Sequence, residues 1–153
     1  MNIIQKLDQY DINSVFFCDP IKNNIMNDGN FIRIFYSNEF VVLNGIYLTF
    51  AINSTSIEKY YNKYKIIFDK VAHNDVIEQI RLIEEGLIEK LSIKNKTPQF
   101  KINEQLKNGN VKIFIDPKQD VFSPNNAFLL KISGIWETDA NYGVTYKFMR
   151  LNT

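Results

Sequence analysis

The chain of 153 residues has one domain's length, and its 45% hydrophobic content, including 12 Phe and 8 Tyr, can bury a core without disulfides or metal. A lone cysteine, Cys18, excludes an intramolecular disulfide, and no apolar run reaches membrane-spanning length; with no signal-peptide pattern at the start, a reducing, cytoplasmic location is the expectation. The net charge of +1 excludes the strong basic excess of proteins that hold duplex DNA chiefly through its phosphates.

Residues 1–30 read as irregular, with turn signals at Asp19-Pro20 and Asn27–Asn30. Strand signals begin at Phe31–Tyr36 and continue through Phe40–Leu43 and Ile46–Ile52. The intervening Asn44-Gly45 is either a tight hairpin turn or a glycine bulge in one long, curved strand. Thr55-x-x-Glu58 has the form of a capping box, so a short helical turn is expected there, running into a strand over Lys63–Asp69 with Tyr64, Ile66 and Phe68 on one face. The clearest helix spans about 75–91. It opens on the capping box Asp75-x-x-Glu78 and repeats Val76, Ile80, Ile83, Leu87 and Leu91 along one face. After Pro98 the period returns to two. Phe100 and Ile102, then Val111, Ile113 and Ile115, read as a hairpin across the turn Lys107–Asn110. A second hairpin joins Phe128–Glu137 to Val144–Arg150.

This order gives a mostly β (α+β) domain. Its expected architecture is an OB-type five-stranded barrel with extra hairpin strands and one main helix between strands. Catalytic groups are scarce. His73, the only histidine, reads as a surface or capping residue at the helix entry, and Cys18 reads as a packed thiol. Glu84 and Glu85 project about 100° apart on a helix and read as a solvated face. No phosphate-binding loop, nucleophile elbow or paired-cysteine motif occurs. No enzyme activity, cofactor or metal is therefore expected.

What remains is aromatic residues interleaved with basic ones on strands, the inventory that single-stranded nucleic acid needs for base stacking and phosphate contact. With Ile32 and Ile34 inward, Phe31, Arg33 and Phe35 face outward; in the same way Lys101, Lys112 and Phe114 face outward. Strands buried on both sides would account for the phenylalanines equally well. Counting by twos puts Trp136 on the face of Leu130 and Ile132, which favours burial, although it stays a stacking candidate. Tyr146 and Phe148 share a face with Val144 and read as core, leaving Lys147 and Arg150 for phosphate contact.

Two stretches carry a resemblance. Asp19-Pro-Ile-Lys22 leads into Met26–Ser37 and Asn44–Tyr47; further on, Leu130-Lys-Ile-Ser-Gly-Ile-Trp-Glu137 precedes Tyr142-Gly-Val-Thr-Tyr-Lys-Phe148. Both resemble single-stranded DNA-binding proteins of the T-seven-phage type, which also occur in large cytoplasmic DNA viruses and cytoplasmic linear plasmids. The resemblance implies an OB barrel that coats single strands during replication, with polymerase or helicase as partners and self-association open. The phage members recruit partners through an acidic C-terminal tail; no acid follows Asp139 here, so that route is not expected. The residues expected to stack are Phe31, Phe35, Phe114 and Trp136; those expected to meet phosphate are Arg33, Lys101, Lys112, Lys131 and Lys147. The rival expectation is a structural or adaptor β-protein whose outward aromatics bind another protein.

Overall fold

A computed structural model of the chain describes residues 3–22, 29–114 and 126–151. In chain order these form β1 (Gln5–Lys6), β2 (Val15–Phe17), β3 (Ile21–Lys22), β4 (Asn30–Ser37), β5 (Val42–Leu43), β6 (Ile46–Ala51), β7 (Ser54–Tyr60) and β8 (Lys63–Phe68). There follow α1 (Asn74–Leu91), β9 (Thr97–Gln99), α2 (Lys101–Lys107), β10 (Asn110–Phe114), β11 (Ala127–Glu137) and β12 (Asn141–Arg150). The expected turn at Asn27–Asn30 and the inward Ile115 fall wholly or partly outside the described residues.

The domain is mostly β, as expected, but among the described residues the sheet stays open and mixed and closes no barrel. Its strands run β1-β6-β11-β12-β10-β8-β7. The long antiparallel pair β11–β12 is the spine. The first half of β11 pairs with β6 and its second half with β4, so the chain between β5 and β6 turns a corner at Asn44–Gly45 from the edge of β4 to the edge of β11. β5 and β6 do not pair with each other, so the corner is not a hairpin, and because each has a different partner they are not one long curved strand either.

The core lies on one face of this sheet, under α1. Ile32, Ile34, Leu48, Ile66, Leu130, Ile132, Ile135 and Phe148 meet Ile77, Ile80, Ile83, Leu87 and Ile88 of the helix. The helix begins one residue earlier than the sequence suggests, with His73 in the N-cap position. The expected Asp75–Glu78 capping box is absent because Asp75 lies inside the first turn and is not the N-cap; Glu78 instead pairs with Arg81 at 2.7 Å. The His73 ring packs edge-on against Phe68, and its Nε2 accepts the backbone N–H of Asn53 at 3.2 Å. No helix among the described residues is long and apolar enough to cross a membrane.

Three expectations are corrected. The predicted helical turn at 55–58 is the strand β7, paired with β8 from Ser54 to Tyr60. The strand expected at 99–103 is mostly the helix α2, so β10 pairs antiparallel with β8 and at one bridge with β12. The reason is a buried carboxylate. Glu84, expected in solvent, is 0% exposed; its Oε2 and Oε1 accept the backbone N–H groups of Ile102 and Asn103 at 3.0 and 2.8 Å. It thereby satisfies two of the donors that every helix start leaves unpaired. Ile102 and Leu106, four apart, complete the packing of α2 on α1.

Candidate nucleic-acid interface

The face of the sheet opposite α1 carries most of the residues singled out from sequence. On β10, burial of Val111 and Ile113 leaves Lys112 and Phe114 outward, and Phe114 is 49% exposed. Register carries the pattern across the neighbouring strands. Lys65 stands opposite Lys112 and Lys63 opposite Phe114 on β8, Lys131 opposite Lys147 on β11 and β12, and Tyr47 opposite Lys131 on β6. The Nζ atoms of Lys63 and Lys147 lie 5.0 and 4.9 Å from the centre of the Phe114 ring, and that of Lys131 lies 5.7 Å from the Tyr47 ring. Each is a cation–π contact. Among the described residues no carboxylate lies within 4 Å of the Nζ of Lys63, Lys65, Lys112, Lys131 or Lys147.

The same face continues to β4. A β-bulge between Ile132 and Gly134 shifts the phase of β11, so Ile135 replaces the even-numbered residues in the core and Trp136 turns outward. Counting by twos through this bulge is what misassigned Trp136. Opposite Trp136 stands Phe31, and opposite Gly134 stands Arg33, whose guanidinium donates to Asn44 Oδ1 at 2.9 Å. The two rings lie against glycine. A Cβ added at Gly134 would come within 2.6 Å of the Phe31 ring, and one at Gly143 within 2.9 Å of the Trp136 indole. Absence of those side chains lets both rings rest on the backbone while staying half-buried, each with surface left for a ligand.

Phe35 and Lys101 stand apart from this face. Phe35 lies on the far half of β4, opposite Phe16 of β2, where Lys90 covers the Phe16 ring at 5.8 Å. Lys101 lies in the first turn of α2, with Glu104 3.5 Å away. It still borders the cleft of about 510 Å³ that α2 forms with β8, β10 and β12, lined also by Lys63, Lys112, Phe114 and Lys147. The Tyr146 hydroxyl donates to Gln105 Oε1 at 3.0 Å in this wall. Burial, helped by the negative charges of Glu84 and Glu104, pushes that hydroxyl up to about 12. Arg150, read from sequence as a phosphate contact, is buried.

Lys63, Lys65 and Tyr47 were not singled out from sequence. Lys63 and Lys65 alternate with Tyr64 and Ile66, which signals an outward face, but only the β8–β10 register brings them beside Phe114 and Lys112. No family model, curated protein or solved structure matches this chain.

Proposed function

We propose that this face binds single-stranded DNA, largely independently of sequence, and that the protein coats and protects unwound DNA during replication. The observation that carries the reading is Phe114, half exposed between the ammonium groups of Lys63 and Lys147, with Lys131 next in line across the sheet. A base stacks on an exposed ring while lysines meet the flanking phosphates, an arrangement that needs a local basic stripe and no large net charge. Phe31 and Trp136, resting on glycines with Arg33 beside them, supply a second stacking area on the same face. The role is binding and not catalysis. The resemblance to T-seven-phage-type proteins supports DNA over RNA and suggests polymerase or helicase as further partners. An opened OB-type architecture belongs to the same proposal, supported by the order of strands, main helix and strands.

A protein-binding role is the second reading, favoured by Phe40 and Val42, strongly exposed at and beside the edge strand β5. Polarisation titration of labelled oligo(dT), with duplex of equal length as control, separates the two. Tight binding of the single strand and weak binding of the duplex is the expected result. Failure to bind any oligonucleotide at low salt would leave only the protein-binding role.

A further inference from the structure

We propose that the bound strand crosses the sheet from β11 to β7, perpendicular to the β-strands, and that Tyr60 at the β7–β8 hairpin is its outermost stacking site; this rests on the reading of the face as a single-stranded DNA interface. Tyr60 stands directly opposite Lys63, as Lys63 stands opposite Phe114. Residues opposite one another on neighbouring strands project to the same face. The row therefore runs Tyr60, Lys63, Phe114, Lys147, Lys131, one residue per strand from β7 to β11, and it stops before Tyr47 of β6, which is buried. Aromatic and cationic side chains share this row along four strand-to-strand steps, a span of roughly 19 Å at about 4.8 Å per step.

Nothing in the core explains the hairpin's aromatic residues. Tyr60 and Tyr61 are 62% and 82% exposed, and they touch each other edge to face with centroids 4.7 Å apart. Tyr61 holds a left-handed backbone at φ 52° in the turn, which places the pair at the hairpin tip. Charge selects the occupant: Lys63 and Lys65 line this hairpin's outward face, and Glu58, opposite Lys65, is the acid there. A polyanion with flat bases fits an exposed ring beside those lysines.

The test is oligo(dT) titration over lengths from about four to about sixteen nucleotides, the range of site sizes for such sheets. Phe114, central in the row, should matter at every length. Tyr60→Ala should bind the shortest oligonucleotides like the parent and lose about 5- to 150-fold on the longest, the worth of one stacked base. Tyr60→Phe should restore that affinity, and melting should be unchanged for both because the side chain is exposed. Tyr60→Ala binding like the parent at every length, while Phe114→Ala binds weakly, would overturn the crossing path and leave the interface standing. If neither the parent nor any variant binds oligonucleotide, the interface itself fails and this inference with it.

Discussion

Phe114 and Glu84 are single residues whose surroundings give opposite meanings to an alanine substitution. Phe114 is half exposed and makes no part of the core cluster, so Phe114→Ala opens no cavity. Melting should stay within a degree or two of the parent, while oligo(dT) affinity falls about 5- to 150-fold through loss of stacking worth about 1–3 kcal/mol. Normal melting with normal binding would remove β10 from the interface. Glu84 is the reverse case. Its removal strands two buried backbone donors, each costing about 1–3 kcal/mol, so Glu84→Ala should lower stability markedly and loosen α2. Burial holds the Glu84 carboxyl above its usual range, against the pull of the two N–H groups and with Glu85 and Glu104 adding to the rise. A carboxyl raised on folding binds more protons folded than unfolded, so its contribution is full below the ordinary carboxylate range and declines as pH rises through the raised value. Denaturant unfolding of the parent against Glu84→Gln across that pH window should give a difference that shrinks with rising pH; a constant difference would contradict the buried, raised carboxyl.

At the scale of elements, α1 holds the fold and the sheet's outer face carries the proposed site. Ile80 is fully buried beneath the sheet, and Ile80→Ala should cost about 2–5 kcal/mol in equilibrium unfolding with the residual folded protein still binding oligo(dT). Glu85→Ala removes only a partly exposed partner of Arg81 at 2.8 Å and should change stability by about 0.5 kcal/mol or less. A large loss of binding in Glu85→Ala without loss of stability would place a functional surface on α1. The helix was legible from its period, and so was the outward placement of Arg33, Lys112 and Phe114, because each follows from local alternation. α2 was misread because Phe100 and Ile102 satisfy a period of two while Ile102 and Leu106 satisfy a turn of helix. Five residues cannot arbitrate between them. The deciding contact, Glu84 on the start of α2, joins residues 18 and 19 positions apart.

For the whole molecule the net charge of +1 conceals a local basic stripe, since Lys63, Lys65, Lys112, Lys131 and Lys147 share one face and, among the described residues, none has a carboxylate within 4 Å. Binding should weaken with salt, with a slope of log K on log salt between roughly −2 and −4, at about −0.7 per phosphate neutralised on a single strand. Lys112→Ala should make that slope shallower by about 0.7 and leave melting unchanged. A flat salt response would reject phosphate contact.

From the sequence follow the class of the fold, the main helix and its buried face, the terminal hairpin, and the alternation that sets Arg33 and Lys112 on the outer side of β4 and β10. Hydrophobic periodicity is local, and it reports sidedness within one element. Only the packed molecule shows that the sheet stays open among the described residues, that Trp136 faces outward beyond a bulge, and that Glu84 is buried at a helix start. It also shows that Lys63, Phe114, Lys147 and Lys131 form one row. Those outcomes depend on register between strands distant in the chain, where a shift of one residue reverses every side chain, and no single strand carries the information that sets it.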